Sequence, residues 1–356
     1  MRKVRYVLVG FGGIAENRVA KEGFACDRKR FRPLKSAVLV GATDLNPARQ
    51  ATAEALGLRW YPALDAVLAD RAVDAVYVAT NNRSHVPLAL QALKAGKHVI
   101  VEKPIATSVA DAKKLSMAAK ARGLSLTVDH MMVNNAWTVA GKAALAKGRL
   151  GKVNDCCFHM EFAYGYDPAE AATWRCSKVE EMGGPIGDVA SHCFYVAEYM
   201  LGKRIAKVAA VYYPKTMKIR SEVGAYVKFF FADGTQGSVN AAFSEPRGGL
   251  AGTLTNLGYE VYGDKAAMRG YGTMFQLSGY ADDPVAIRLE IDDGKAVTRV
   301  APTKIRNIYQ ELVEGHAKSV LAGRPLTGDD AVHNLALCAA AHVSAQKGGK
   351  VVNVKD

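Results

Sequence analysis

Short apolar runs alternate with amphipathic segments of helical periodicity over the first third of the chain. The apolar runs occupy 6–9, 37–43, 75–79, 98–101 and 124–128, and segments of helical pattern separate them. Regular alternation of strands and helices is typical of a parallel, doubly wound sheet that carries helices on both faces. The first 128 residues are therefore predicted to form one α/β domain.

The pattern changes after residue 128. A helix is predicted over 135–147 and a strand over 153–163, and from Ile205 onward strands follow one another through short turns. The later elements are strands at 226–231, 236–242, 259–262, 268–275, 287–291 and 296–300 and helices at 307–321 and 329–346. Turns such as Asp233-Gly234 favour hairpins. Residues 129–356 are therefore predicted to form an α+β domain with a large, mainly antiparallel open sheet.

The composition is that of a globular protein, with 49% hydrophobic and 23% charged residues. The length of 356 residues exceeds what one core usually serves, in agreement with two domains. No apolar run approaches the length of a membrane span. The N-terminus runs directly into the first predicted strand and shows no signal sequence. We therefore expect a cytoplasmic protein without a membrane partner.

The formal net charge of +13 raises the question of a nucleic-acid partner. Lys and Arg are nevertheless scattered along the whole chain, and the densest group, 28–32, lies in a predicted surface insertion. We therefore expect no nucleic-acid partner, and attraction of anionic cofactors or substrates is a reasonable consequence of the charge. The six cysteines have no regular spacing, which indicates reduced thiols and predicts neither a disulfide frame nor a metal site.

The first strand runs into the glycine-rich sequence Gly10-Phe11-Gly12-Gly13-Ile14-Ala15. A glycine-rich turn between a strand and a helix is the fingerprint of dinucleotide binding in a Rossmann fold. Gly10 permits the tight turn, Gly12 lets a pyrophosphate approach the backbone, and the small residues that follow let the helix pack closely. Residues 10–14 are therefore predicted to bind the cofactor.

Asp44 ends the second predicted strand, where the fingerprint requires an acidic residue. The spacing is longer than usual, and an insertion over 21–35 accounts for the excess. A carboxylate at this point bonds the ribose hydroxyls and opposes a 2′-phosphate, so NAD is predicted over NADP. Two observations oppose this interpretation. Asp44 is also placed to cap the helix that Asn46-Pro47 begins, and Arg49 lies one turn further on.

Glu102, Lys103 and Pro104 close the buried strand at 98–101. A buried lysine at a strand end is costly unless it has a partner or a function. Ligands of open α/β sheets gather at the carboxyl ends of the strands, and the residue before a proline is held extended. From these residues alone, a catalytic Lys103 and an ordinary strand-end salt bridge of Glu102 are equally supported.

Three stretches resemble the glucose–fructose oxidoreductase/inositol dehydrogenase (Gfo/Idh/MocA) family of NAD(P)-dependent oxidoreductases. They are the glycine motif at 10–15, the sequence Thr80-Asn81-Asn82 with His85, and the run 95–105 that contains Glu102-Lys103-Pro104. The resemblance implies that Lys103 is an active-site lysine and that its bond to Pro104 is cis. It also implies that the cofactor is contacted by Thr80, Asn81, Asn82, His85, Glu102 and Lys103.

A second glycine run, 183–187, precedes Asp188 and His192, which are four residues apart on a predicted helix that ends near Leu201. An acid beside a histidine orients it and favours its charged form. Taken alone, such a pair is better interpreted as a capping acid and a partly buried histidine. The family resemblance extends to this motif, and it implies a chemical role for both residues.

The motif departs from the common family form at Met182, Ala190 and Tyr195, although Asp188 and His192 are kept. These departures bear on substrate choice more than on chemistry. Arg175 resembles a family position near the cofactor and the substrate, and is counted among the cofactor-binding residues. Nearby aromatic residues are predicted either to offer ring faces to a sugar or only to pack their loop: Tyr164, Tyr166 and Trp174.

The leading hypothesis is an oxidoreductase that moves a hydride between NAD and a carbon bearing a secondary hydroxyl in a sugar, glycoside or cyclitol. Lys103 and His192 would serve as acid and base, with Asp188 orienting them, and which is the proximal base stays open. The alternative is an NAD-dependent glycosidase that works by transient oxidation and elimination. A non-catalytic dinucleotide-binding regulator ranks last because these three residues are all present. An open sheet face further predicts a homo-oligomer, either a dimer or a tetramer.

Overall fold

The computed structural model describes residues 2–244, 257–272, 288–301 and 307–356. Parts of two predicted strands, 273–275 and 287, lie outside the described residues.

The described residues form two compact units. The first comprises Met1–Met131 together with Asn307–Val332, and the second comprises Met132–Arg306 together with His333–Asp356. The chain changes unit three residues after the boundary predicted from the sequence. The return of the segment near the C-terminus to the first unit was not predicted, because local periodicity carries no information about distant contacts. The roles assigned to the two predicted domains stay predictions.

The first unit is built on a six-stranded sheet in the order β3-β2-β1-β4-β5-β6. All neighbouring strands in it are parallel. In chain order the strands are β1 Val4–Val9, β2 Ala37–Thr43, β3 Arg59–Trp60, β4 Ala75–Val78, β5 His98–Val101 and β6 Leu126–Val128. Strand β4 is buried along its whole length, and all but the first residue of β5 is buried as well, as expected for a sheet covered on both faces. The predicted doubly wound parallel sheet is confirmed.

Helices follow the strands of this sheet. The helices are a π-wound segment Ala15–Gly23, α1 Gln50–Ala55, α2 Leu64–Ala69, α3 Asn82–Lys94 and α4 Val109–Arg122, with a 3₁₀ turn at Pro47–Arg49. Ser108 caps α4 by accepting the Asp111 N–H, and Gly123 ends α4 in the left-handed conformation. The helix limits predicted from Ser108 and Gly123 are confirmed.

The second unit is built on a nine-stranded sheet in the order β14-β13-β12-β11-β7-β10-β9-β8-β15. Its strands are β7 Val153–Glu161, β8 Ile205–Tyr212, β9 Gly224–Phe231, β10 Gln236–Ala242, β11 Leu257–Gly263, β12 Ala267–Gly272, β13 Arg288–Asp292, β14 Val297–Arg299 and β15 Val352–Asn353. Strands β7 and β10 pair in parallel, and the other described pairs are antiparallel. The predicted large, mainly antiparallel sheet is confirmed.

Five helical segments and two 3₁₀ turns lie between β6 and β8 along the chain. They are α5 Ala136–Ala146, α6 Pro168–Ala172, α7 Trp174–Ser177, a π-wound segment Ile186–Ala190 and α8 Ser191–Leu201, with 3₁₀ turns at Met131–Asn134 and Val179–Glu181. Helix α5 contacts β12, β13 and α8, and α8 contacts β7. Burial alternates along β9: Val227 and Phe229 are buried, whereas Tyr226 is 47% exposed and its partner on β8, Val211, is 58% exposed. One face of the sheet therefore carries exposed, large apolar side chains.

Two helices close the chain, α9 Ile308–Leu321 and α10 Asp329–Gln346. The side chain of Asn307 accepts the N–H groups of Tyr309 and Gln310, which confirms the predicted helix start. Helix α9 packs on the π-wound segment and on β1 and β2 of the first unit. None of the helices in the part of the chain that the structure describes is both long and apolar enough to cross a membrane.

Candidate active site

The glycine loop after β1 combines one crowded position with two open ones. Gly10 has φ +88°, and a Cβ there would lie 2.7 Å from the Ala79 carbonyl oxygen and from Thr80 Cγ2. A Cβ on Gly12 or Gly13 would meet nothing within 4 Å. The first N–H groups of the helix that follows have no acceptor within the helix. Open space and such donors fit the pyrophosphate of a dinucleotide.

Asp44 lies beside this loop at the end of β2. Its Oδ2 accepts the Phe11 N–H at 2.6 Å, and its Oδ1 accepts the Asn46 N–H at 2.8 Å. These bonds fix the direction of the carboxylate, and Asn46 itself caps the short helix by accepting the Ala48 N–H. The capping role considered for Asp44 therefore belongs to its neighbour.

Arg49, the second residue that bears on cofactor choice, bonds to the glycine loop and to the helix that follows it. Its Nε donates to the Phe11 carbonyl oxygen at 2.7 Å, and its guanidinium forms an ion pair with Glu16. Hydrogen bonds from Lys21 and Arg49 lower the pKa of the Glu16 carboxyl, although its partial burial opposes them. Arg49 is therefore paired with a carboxylate that it shares with Lys21.

The stretch after β4 forms the start of α3. Asn81 caps α3 by accepting the Ser84 N–H at 3.2 Å, and the Ser84 hydroxyl donates to Thr80 Oγ1 at 2.8 Å. Asn82 and His85 are buried. The side chain of Asn81 is exposed on the same turn.

His85 joins two loops of the candidate site. Its Nδ1 lies 2.8 Å from the Pro104 carbonyl oxygen, and its Nε2 lies 3.2 Å from the Thr80 carbonyl oxygen. Burial lowers the pKa of His85, so the ring is neutral at neutral pH and donates one of these bonds. His85 thus ties the loop that carries Lys103 to the end of β4.

Glu102 and Lys103 follow β5 directly. The Glu102 N–H donates to the Val78 carbonyl oxygen at 2.9 Å, which extends the strand pairing by one residue. The Lys103–Pro104 bond is cis, as the family resemblance implies. Lys103 is half-buried. The end of β5 therefore presents Lys103 at the same sheet edge as the glycine loop, since Gly10 meets Thr80 and Thr80 meets His85.

Two residues near Glu102 were not identified from the sequence. The Tyr77 hydroxyl lies 2.6 Å from Asp129 Oδ2 and 3.3 Å from Glu102 Oε1. Tyr77 and Asp129 are fully buried. The sequence did contain a signal for Asp129. It directly follows the apolar run at 124–128, just as Glu102 directly follows the apolar run at 98–101.

In the second unit, Asp188 and His192 are both buried on consecutive turns. The helix is π-wound over Ile186–Ala190 and α-helical from Ser191, a change that the sequence pattern did not reveal. It ends at Gly202 in the left-handed conformation, as predicted. Glu222 accepts the Ile186 N–H at 2.9 Å and so satisfies the helix start.

Met182 adopts φ +61°, a conformation that favours glycine. A non-glycine residue in this conformation carries some backbone strain.

Asp188 and Arg175 form an ion pair, with the Arg175 Nε 3.2 Å from Asp188 Oδ2. The charge of Asp188 raises the pKa of the Arg175 guanidinium. The guanidinium also lies over the Trp174 ring at 4.9 Å and near the Tyr164 ring at 5.9 Å. Arg175, Asp188 and two aromatic rings are therefore brought together in this unit.

The other aromatic candidates differ in their surroundings. Tyr164 packs against Phe243 with ring centroids 5.5 Å apart, so it contributes to packing. Tyr166 is exposed and donates its hydroxyl to the Ser244 carbonyl oxygen at 3.0 Å. Trp174 is half-exposed beneath Arg175, which leaves part of its ring open to a ligand.

The two glycines of the loop predict opposite effects of an added methyl group. Gly10→Ala should destabilise the free protein by about 1–3 kcal/mol, because of its positive φ and its contact with Ala79. Gly12→Ala should leave unfolding of the free protein unchanged and weaken NADH binding, because its methyl would occupy open space. Chemical denaturation and NADH fluorescence titration of both variants test this. Equal stability of the two variants would contradict it.

Comparisons with known proteins identify the family of the chain. A model described as the oxidoreductase family with an NAD-binding Rossmann fold matches residues 4–130, and the Gfo/Idh/MocA C-terminal domain matches residues 139–269. The chain is 29% identical over 281 residues to 1,5-anhydro-D-fructose reductase of Ensifer adhaerens, which covers 77% of this chain and 78% of that protein.

Solved structures of similar fold cover the whole chain. Aldose–aldose oxidoreductase from Caulobacter crescentus, complexed with glycerol, has a TM-score of 0.82 at 23% identity and covers 99% of this chain and 100% of its own. Levoglucosan dehydrogenase in complex with NADH and levoglucosan has a TM-score of 0.82 at 19% identity and covers 100% of both chains. At these identities the likeness shows the fold. Since the two family models together match more than half of the sequence, the chain is a member of the Gfo/Idh/MocA family of oxidoreductases, with an NAD-binding Rossmann-fold domain in its first 130 residues.

Proposed function

We propose that this protein transfers a hydride between NAD and a carbon bearing a secondary hydroxyl in a sugar, glycoside or cyclitol. The observation that carries the proposal is the placement of Lys103. It stands at the carboxyl end of β5, its loop is fastened by His85, and the open glycine loop lies at the same sheet edge. Ligands of α/β sheets bind at this edge.

The dinucleotide, when bound, supplies the hydride acceptor or donor. The open backbone at Gly12 and Gly13 would face its pyrophosphate, and Asp44 would bond the ribose hydroxyls. The protein must then move the hydroxyl proton, and Lys103 and His192 are the proposed acid–base residues. Asp188 is the proposed orienting group, and its pairing with Arg175 keeps its position fixed.

The substrate class is supported by two relatives and by the second unit. The names of 1,5-anhydro-D-fructose reductase and levoglucosan dehydrogenase both refer to sugar derivatives. The partly open Trp174 ring beside Arg175 and Asp188 combines an apolar face with charged hydrogen-bonding groups. Such a mixture suits a hydroxylated ring, because each buried hydroxyl needs a partner.

Turnover of a substrate panel tests this function. Polyols, sugars and glycosides should change the absorbance of the nicotinamide, whereas simple alcohols, 2-hydroxy acids and amino acids should not. A strong preference for a hydroxy acid or an amine would overturn the proposal. Glycosides that lose their aglycone without net NADH would show a glycosidase that uses transient oxidation.

The negative charge of Asp44 is expected to favour binding of NADH over NADPH. Replacing Asp44 by alanine should narrow the preference for NADH over NADPH by about tenfold or more, or about 1.4 kcal/mol, because one repulsive charge is removed. Fluorescence titration with both dinucleotides measures the ratio. Asn46→Ala, which removes the adjacent cap and no charge, is the control, and an unchanged ratio in Asp44→Ala would contradict the assigned role.

We also propose a homo-oligomer, either a dimer or a tetramer, formed through the open sheet face. The exposed Val211 and Tyr226 on that face support it. Light scattering measures the mass in solution, and a monomer at all concentrations would overturn this.

A further inference from the structure

Strand register places two carboxyl groups side by side in the first unit. Val101 of β5 pairs with Val128 of β6 in the parallel sheet. Glu102 and Asp129 are the next residues of the two strands, and the Asp129 N–H donates to the Val101 carbonyl oxygen at 2.8 Å. Neighbouring strands lie about 4.8 Å apart, and residues at equivalent positions point to the same face. The two side chains are therefore neighbours.

The Tyr77 hydroxyl lies within hydrogen-bond distance of both carboxyl groups. The Tyr77 hydroxyl is 2.6 Å from Asp129 Oδ2 and 3.3 Å from Glu102 Oε1, and it has a single proton to donate. Asp129 Oδ1 is buried and has no hydrogen-bond donor among the described residues. Two ionised carboxylates in this position would repel each other and leave acceptors unsatisfied. A proton held between them removes both costs.

Several charged and titratable groups lie near the pair. Tyr77 of β4 and Tyr309 of α9 face the two carboxyls, and Lys103 and His130 adjoin them, with Asp330 acting on His130. Burial raises the pKa of Asp129 to about 6, and burial together with the charge of Asp129 raises the pKa of Glu102 well above its usual range. The charge of Lys103 opposes both shifts.

We propose that Asp129 and Glu102 share one proton and act as a single negative charge that holds the Lys103 ammonium, so that the carboxyl pair, and neither residue alone, positions this lysine. The inference deepens the proposed function and rests on it for the role of Lys103. One shared negative charge and one ammonium make the buried group neutral overall. Two negative charges would exceed the charge of the Lys103 ammonium, and two protons would remove the negative charge with which the pair stabilises it.

Replacing each carboxyl by an amide tests the negative charge of the pair separately from its shared proton. In Asp129→Asn, Glu102 is left as the one ionised carboxylate, and the amide donates in place of the shared proton. Turnover should therefore fall less than fivefold. In a Glu102→Gln background the same substitution removes the last negative charge, and it should lower turnover at least a further tenfold. Equal effects in the two backgrounds would overturn the proposal.

Two measurements detect the proton without any substrate or cofactor. Infrared spectra at pH 7 should show the carbonyl band of a buried protonated carboxylic acid in the parent protein and not in Asp129→Asn. At this pair the folded protein binds more protons than the unfolded chain above about pH 4. The contribution of the pair to stability should therefore fall as the pH rises from about 4 to 7, and this contribution should be smaller in Asp129→Asn.

Asp111→Asn, which changes an exposed carboxyl of α4, is the control for both measurements. The melting temperature of Asp129→Asn relative to the parent should rise with pH, and that of Asp111→Asn should not. The same infrared band in parent and Asp129→Asn would overturn the shared proton even if the protein proves to be a sugar dehydrogenase. If the band is lost in Asp129→Asn and the enzyme acts on another class of substrate, the shared proton is supported and only the proposed function is overturned.

Discussion

Lys103→Ala is expected to lower turnover by about 10²–10⁴-fold, the usual contribution of a positioned acid or base. The physical reason is the loss of the proton-transfer group at the carboxyl end of β5. The protein should still fold, because the bond from His85 is made to the backbone carbonyl of Pro104. Its stability should fall, because the Glu102–Asp129 pair loses the charge of Lys103. NADH binding should also persist, since the glycine loop and Asp44 are unchanged.

Steady-state rates, NADH fluorescence titration and thermal unfolding test these three expectations together. Lys113→Ala, which removes an exposed lysine of α4, is the matched control for the loss of one positive charge. A rate of Lys103→Ala within about tenfold of the parent would contradict an acid–base role. Loss of cofactor binding or of folding would instead assign Lys103 to structure.

Asp188→Ala is expected to destabilise the protein by about 3 kcal/mol, the lower end of what removal of one partner of a buried ion pair costs. The substitution leaves Arg175 without its carboxylate, and that side chain is 29% exposed, so water recovers part of the loss. Turnover should fall by about 10²-fold or more, because the proposed orienting group is gone. Denaturant unfolding and steady-state rates measure the two effects.

A double-mutant cycle with Arg175→Met isolates the pair. Because both charges are absent in the double variant, its loss of stability should be smaller than the sum of the two single losses. Additive losses would show that Asp188 and Arg175 stabilise the protein independently. A loss below about 1 kcal/mol for Asp188→Ala would mean that the pair behaves as a surface salt bridge.

Local patterns determined the elements that carry the candidate site. Alternating apolar runs and helical segments placed β1, β4, β5 and the helices between them, and capping residues such as Ser108 and Asn307 marked helix starts. The glycine motif and the Glu102-Lys103-Pro104 sequence identified the family, and the implied cis bond is present. These features are encoded within a few neighbouring residues, so one sequence is enough to reveal them.

Contacts between distant segments were decided only by the tertiary structure. The register of β5 and β6 brings Asp129 beside Glu102, and Tyr77 reaches both from a third strand. Helix α9 returns to the first unit, and Arg175 pairs with Asp188, which lies thirteen residues further along the chain. The periodicity of a strand fixes which face a side chain occupies, but not which strand lies next to it. The sequence by itself therefore determined the fold class and identified Lys103 as a candidate, whereas strand pairing decided that Asp129 lies beside Glu102.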